Sequence, residues 1–251
     1  MGVLDGKVAI VTGAGRGIGR AEAIALAKEG AAVTVVDYAD YSETVREIQA
    51  LNSTESGVLG MHCDVRKSDE VAKVVAETMR TFGRIDILVN NAQKLSMPHP
   101  LEDWTESEML EQFQSGPLGT WLFMRECLPH MKKNGGRIIN TSSSAGYSSY
   151  GGYAGYAAAK EAIRSLTRSA AREWGKFGIT VNALSPAART SGAEGAMDKE
   201  AEAALNSLFA LGRWGDPEKD IARVVVFLAG PDSSFMTGNT VSADGGLAMI
   251  V

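Results

Sequence analysis

A single α/β domain, wound around one parallel sheet of about seven strands with helices on both faces, is the fold this sequence predicts. Two observations predict it. Short β-branched runs alternate with longer amphipathic stretches along the 251 residues, and a glycine-rich turn joins the first run to the first stretch. Strands that alternate with helices form βαβ units, and right-handed crossovers make a doubly wound sheet the economical arrangement.

The elements follow in order. Strands are expected at Val8–Thr12, Ala32–Asp37, Val58–Cys63, Ile85–Asn90, Arg137–Thr141, Thr180–Leu184 and Thr240–Ala243. Between them, helices are expected over Ile18–Glu29, Asp69–Phe82, Trp104–Lys132, Tyr156–Gly175 and Glu218–Leu228. No repeat, low-complexity tract or Pro/Ser-rich linker divides the chain, so one domain spans 1–251.

Composition narrows the function. With 45% hydrophobic and 22% charged residues, the chain has the material for a well-buried core. A net charge of −5 offers no basic face for nucleic acid or an anionic membrane. No apolar run is long enough to span a bilayer, and the N-terminus lacks a signal-peptide pattern. Two cysteines far apart, Cys63 and Cys127, suggest neither a disulfide framework nor a metal site, and a cytoplasmic setting is expected. His62, His99 and His130 have no metal-ligand spacing.

The first strand runs into Thr12-Gly13-Ala14-Gly15-Arg16-Gly17-Ile18-Gly19. Glycines here let the backbone approach a pyrophosphate, which then rests on a helix N-terminus. The second strand ends in Asp37, eighteen residues beyond Gly19, where a ribose-binding carboxylate belongs. A carboxylate accepts from the adenosine ribose hydroxyls, whereas a 2′-phosphate would meet like charge, so NAD is favoured over NADP. Arg16 is the counterweight, a basic residue within reach of such a phosphate.

Spaced T-G-x-x-x-G-x-G, this loop resembles that of the short-chain dehydrogenase/reductase family, and the resemblance continues over nearly the whole chain. Asp64-Val65 resembles the family's adenine-contacting pair, Asn90-Asn91-Ala92 its N-N-A-G segment, and Asn182 to Pro186 its N-x-x-x-P strand end. Ser143, Tyr156 and Lys160 match its Ser/Y-x-x-x-K set, with the usual thirteen-residue interval from Ser to Tyr. Gly212-Arg213-Trp214-Gly215, Thr237-Gly238 and Asp244-Gly245-Gly246 match its closing pattern. The resemblance implies hydride transfer between NAD and a secondary alcohol or ketone. Gly13, Arg16, Gly17, Ile18, Gly19, Asp37, Asp64, Val65, Asn90, Tyr156, Lys160, Pro186 and Thr190 would hold the cofactor. It also implies a homo-tetramer and a substrate loop over about 187–213.

The chemistry follows from the residues as well. Tyr156 and Lys160, four apart on one helix face, place an ammonium beneath a phenol. A free tyrosine titrates near ~10, so a neighbouring cation is needed for it to act as a base near neutral pH. Tyrosines also stand at 147, 150 and 153, but only Tyr156 has a lysine four residues on. Ser143 would hydrogen-bond the substrate oxygen.

Three departures stand out. Gln93 replaces the glycine of N-N-A-G, so either the loop shifts or Gln93 lines the substrate pocket. Gly116, followed by Pro117, replaces an Asn that helps the family's lysine reach solvent through water. The segment from Pro186 to Thr190 is one residue shorter than expected. Pro117 should kink its helix and free the Phe113 carbonyl, which, like the Ser115 hydroxyl, could then hold water. The pocket walls, Gln93–Leu101, Ser144–Tyr153 and Ser191–Arg213, hold Leu95, Met97, Tyr147, Tyr150, Tyr153, Met197, Leu208 and Phe209 and lean toward an apolar ring or chain. Two other readings stay open: an NADP-linked keto-reductase of the acyl-carrier type, and a non-catalytic cofactor-binding scaffold.

Overall fold

Seven parallel strands form one sheet in the order β3-β2-β1-β4-β5-β6-β7. In the computed structural model, which describes residues 2–51, 57–95, 97–189 and 199–249, these are β1 (Val8–Thr12), β2 (Ala32–Asp37), β3 (Val58–His62), β4 (Ile87–Asn90), β5 (Gly136–Thr141), β6 (Ile179–Pro186) and β7 (Thr240–Ala243). Strand order reverses between β1 and β4, which pair Ile10 with Leu88, and this reversal opens a crevice at the strands' C-terminal ends. β1 is buried at every residue, as a strand covered on both faces must be.

The helices are α1 (Gly17–Lys28), α2 (Ser42–Leu51), α3 (Ser68–Phe82), α4 (Glu106–Phe113), α5 (Gly119–Met131), α6 (Ser144–Ser148), α7 (Ala154–Trp174), α8 (Lys199–Asn206) and α9 (Ala222–Ala229). Strand alternation sorts the core into two layers. Val11, Val33, Val89, Ile139 and Leu184 pack with α1 and α9, while Ile10, Leu88, Ile138 and Val181 pack with α3, α5 and α7.

Beyond the stretches expected, the structure adds α2, which buries only Thr44 and Ile48. One expectation is corrected. The single helix expected over Trp104–Lys132 is instead broken. A capping box of Thr105 and Glu108 starts α4, and a wider π turn over Gln114–Leu118 separates it from α5. Pro117 has no N–H to offer the preceding turn, and the chain widens there. The Gly119 N–H reaches back to the Gln114 carbonyl, a five-residue step, and the Ser115 hydroxyl donates to the Glu111 carbonyl at 2.7 Å.

Candidate active site

The glycine turn folds against β4. Gly13 and Gly17 adopt positive φ of 65° and 58°. A Cβ on Gly19 would collide with the Gly13 carbonyl oxygen and with Asn91 Nδ2, so only glycine fits. Arg16, at the start of α1, places no side-chain cap on the helix, leaving its first N–H groups for an anion. Asn91 holds the turn in place. Its Nδ2 donates to the carbonyls of Thr12 and Gly13 at 3.1 and 3.2 Å, and the Asn91 and Ala92 N–H groups both donate to Thr12 Oγ1.

A cleft of about 750 Å³ opens over these strand ends, lined by Gly13, Arg16, Gly17, Ile18, Asp37, Asp64 and Val65 among others. Asp37 Oδ2 accepts from the Gly15 N–H and Oδ1 from the Ala39 N–H, both at 2.8 Å. Those bonds fix the carboxylate at the cleft wall and leave lone pairs for two hydroxyls. Asp64 is clamped by Arg66 at 2.7 Å, which holds its carboxyl below the usual range. The uncapped helix start, the glycine-rich turn and the acid at the cleft wall fit a nicotinamide dinucleotide.

The Asn90 side chain, expected at the cofactor, is engaged within the core. It points away from the cleft and donates to Asn140 Oδ1 at 2.8 Å, while Asn140 Nδ2 donates to Thr167 of α7 at 3.0 Å. This buried amide chain ties β4, β5 and α7 together, and the neighbouring Asn91, which sequence reasoning passes over, lines the cleft instead. Its signal is the doubled Asn of Asn90-Asn91. Pro186 closes β6 and is half-buried. Thr190 lies outside the described residues, as do Met197 and the segment 190–198.

The chemical residues follow β5, next to the cleft in strand order. Ser143 caps α6, accepting from the Ala145 N–H at 3.2 Å, and its hydroxyl acts on the Tyr156 phenol in favour of phenolate. Lys160 is 3% exposed, donates to the Thr141 carbonyl at 2.7 Å, and places Nζ 5.4 Å from the Tyr156 ring centre. All three sequence-derived residues therefore converge. Their charge state departs from expectation. Burial pushes the Tyr156 phenol above its ordinary value, opposed by Ser143. Burial also brings Lys160 down to about 7, with Glu22 pulling the other way. The cation expected to hold the phenol down is close to losing its own proton at neutral pH.

Two of the three departures prove to be one. A Cβ on Gly116 would stand 2.8 Å from Gln93 Cδ and 2.9 Å from its Nε2 and Oε1, so the Gln93 carboxamide lies against the bare Gly116 backbone. Gln93 lines the cleft, and both its amide atoms are buried without a partner. The Ser115 hydroxyl, expected to be free for water, is already engaged by the Glu111 carbonyl and the Lys94 N–H. Tyr147 is tied to the sheet. Its hydroxyl meets Ser185 Oγ at 3.2 Å and Ser242 Oγ at 3.3 Å, anchoring it to β6 and β7. Phe209 is likewise buried, against Trp214.

Residues 13–248 match a family model described as enoyl-(acyl carrier protein) reductase. A 12alpha-hydroxysteroid dehydrogenase from a Clostridium species is 41% identical, covering 98% of each chain. The chain belongs to the short-chain dehydrogenase/reductase family. A 2,5-dichloro-2,5-cyclohexadiene-1,4-diol dehydrogenase from Sphingobium indicum is 37% identical over the whole of both chains. The crystal structure of levodione reductase superposes with a TM-score of 0.91 at 32% identity, covering 97% of this chain and 98% of that one. Carveol dehydrogenase from Mycobacterium avium, solved with NAD, gives 0.91 at 27%, covering 98% and 99%. This family member is an oxidoreductase that moves hydride between an alcohol and a ketone, and it takes a nicotinamide cofactor. Among the described residues no helix is long and apolar enough to cross a membrane, and no group of three metal-ligating side chains is gathered.

Proposed function

We propose that this protein is an NAD-preferring dehydrogenase of a secondary alcohol on an apolar or alicyclic skeleton, with Tyr156 as its acid–base group. The observation that carries the reading is the meeting of Tyr156 with Ser143 above a buried Lys160. When bound, the nicotinamide accepts or returns the hydride. Tyr156 takes the alcohol proton in oxidation and donates it in reduction. Ser143 orients the substrate oxygen, and the Thr141 carbonyl fixes the Lys160 amine under the phenol. Gly13, Gly17 and Gly19 would cradle the pyrophosphate, Asp64 and Val65 would hold the adenine, and Ile18 would contact the cofactor from the cleft wall.

NAD preference rests on Asp37, a carboxylate held at the cleft wall where a 2′-phosphate would meet like charge. The NADP-linked alternative has Arg16 in the same cleft and is the weaker reading, because Asp37 is held by two backbone bonds. Support for a ring-bearing substrate comes from the steroid and cyclohexadiene-diol relatives and from exposed Leu95 on the cleft wall. The loop over 187–213 is proposed to cover that substrate. Its neck is pinned where Gly215 and Ala187–Arg189 exchange backbone bonds at 3.0 and 3.1 Å. We place the enzyme in the cytoplasm as a homo-tetramer. Two buried, free cysteines suit a reducing compartment. Leu110, Phe113, Leu118 and Trp121 stand exposed along α4, the π turn and α5, Phe227 on α9 and Met249 near the chain end, apolar ground for two interfaces.

A panel of steroid and alicyclic secondary alcohols, followed by NADH absorbance with each cofactor, tests this reading. Turnover with NAD on at least one ring alcohol is expected; preference for NADP would overturn the cofactor assignment. A stable monomer by light scattering would overturn the tetramer.

A further inference from the structure

Asp64 stands in the cleft as an acid whose acceptor capacity is already taken. The residue is 5% exposed. Its Oδ1 accepts from the Arg66 backbone N–H at 3.1 Å and from Nε at 2.8 Å, and its Oδ2 accepts from Nε at 3.1 Å and from Nη2 at 2.7 Å. A carboxylate offers about four lone-pair sites, so this clamp fills them. The exocyclic amino group of a base would find no free acceptor there.

The guanidinium is left in a different condition. Its Nε–Nη2 edge faces Asp64, and Nη1 lies 3.7 Å from Glu111 of α4. Glu111 accepts in turn from Lys94 Nζ, on the loop after β4, at 2.8 and 2.7 Å. All four residues line the cleft, so a row of alternating charges runs from the end of β3 to the loop after β4. With its edges turned to carboxylates, Arg66 keeps its two flat faces. Its side chain is 38% exposed, which leaves a face open. A guanidinium fixed in plane by parallel hydrogen bonds has little freedom left to lose when a flat ring lies against it.

Which ring can reach that face follows from the sheet. The reacting residues follow β5, on one side of the glycine turn, and Asp37 ends β2, on the other. A dinucleotide that gives its outer ribose to Asp37 therefore carries its base onward to β3, at the sheet edge. The cleft residues there are Cys63, Asp64, Val65 and Arg66. Cys63 is buried, and Val65 is half-buried against α5, where a Cβ on Gly119 would stand 3.0 Å from Val65 Cγ2. Tyr38, the aromatic side chain on this wall, is met by His62, with ring centres 5.3 Å apart.

We propose that Arg66 is the base-stacking residue of this cleft: its guanidinium face carries the adenine ring, and Asp64 orients that face instead of reading the ring's amino group. The proposal deepens the cofactor reading above and rests on it. A cation over a π face is attracted to the ring as a whole. Stacking of this kind tolerates changes at the ring's rim, because every base has a π face, whereas a hydrogen bond to the amino group does not.

Calorimetric titration of the full chain with NAD and with its hypoxanthine analogue, in which a carbonyl replaces the amino group, separates the two modes. Affinities within about threefold of each other are expected. A larger loss with the analogue would mean that an acceptor reads the amino group, and would overturn the proposal. Arg66→Lys keeps the charge and an ammonium for Asp64 but has no flat face. It should bind both dinucleotides about threefold to tenfold more weakly, with thermal unfolding unchanged. Affinity equal to wild type would overturn the stacking. The analogue comparison is made on the wild-type protein, so it stands whatever the variant does to folding. NADP and its hypoxanthine analogue should give the same ratio, because the two cofactors share their base. Failure of the stacking therefore leaves turnover and the NAD preference standing, and failure of the NAD preference leaves the ratio measurable with the other cofactor.

Discussion

Two neighbouring helical segments flank the same site and are built on opposite plans. α7 runs unbroken for 21 residues, with Ala157, Lys160, Ile163, Thr167 and Ala170 buried along one stripe. The segment from Glu106 to Met131 packs against it but breaks at Gln114–Leu118, where a proline and a π turn interrupt the ladder. The difference follows from what each contributes. α7 brings a phenol and an amine together by the i, i+4 spacing, which holds only while the helix is regular. Its neighbour offers a bare backbone, and a backbone can be reshaped without displacing a reacting atom. Gly116 accepts a carboxamide from Gln93, on the loop after β4, where a side chain of its own would collide.

The strongest way to break this comparison is at α7. Tyr156→Phe should lower turnover by about 10²–10⁴-fold with folding and NAD affinity nearly unchanged, since one oxygen leaves the proton path. Tyr153→Phe, whose ring stands 6.5 Å from that of Tyr156, should be far milder, and steady-state kinetics on both variants would show equal losses if the base is misassigned. The nucleotide end offers a control that depends on neither helix. Asp37→Ala should weaken NAD by about 10–100-fold, the worth of hydrogen bonds to a charged group, while NADP binding changes little or improves. Calorimetric titration of both cofactors checks it.

At the broken segment the expected effects are smaller. Gly116→Asn should cost about 1–3 kcal/mol in stability, because its side chain must displace the Gln93 amide. Adding Gln93→Gly should recover most of that loss, a non-additivity that denaturant unfolding of the two single variants and the double variant would measure. Additive losses would mean that the two positions do not interact. The smallest effect is expected from Pro117→Ala. Restoring an N–H should let the turn tighten toward a regular helix, visible as a protected amide at residue 117 in hydrogen exchange, with turnover reduced a few-fold and NAD affinity unchanged.

The same contrast separates what is legible in the sequence from what is not. Features that depend on spacing along the chain are readable: the strand runs, the glycine turn, Asp37 at its strand end, and Tyr156 four residues before Lys160. Features that depend on which distant residue comes to meet a given one are not. Asn90 belongs by motif to the cofactor, and only the arrival of Asn140 and Thr167 turns its side chain into a tether. Tyr147 reads as a pocket residue, and the tie of its hydroxyl to Ser185 and Ser242 of β6 and β7 appears only in the fold. Gln93 and Gly116 read as two separate departures, although 23 positions apart they form one contact.

By itself, then, the sequence determined the alternation of strand and helix, the phosphate-binding turn and the spacing of the reacting groups. Each follows from a period of 2 or 3.6, or from the steric needs of glycine within a few residues. Tertiary structure alone decided the charge states. Glu22 stands among alanines on a short amphipathic helix, and nothing local distinguishes it from a solvated acid. Its carboxyl is raised to about 8 because the assembled layers bury it. Burial and long-range electrostatics are properties of the assembled layers, so they enter only when the chain has closed around the site.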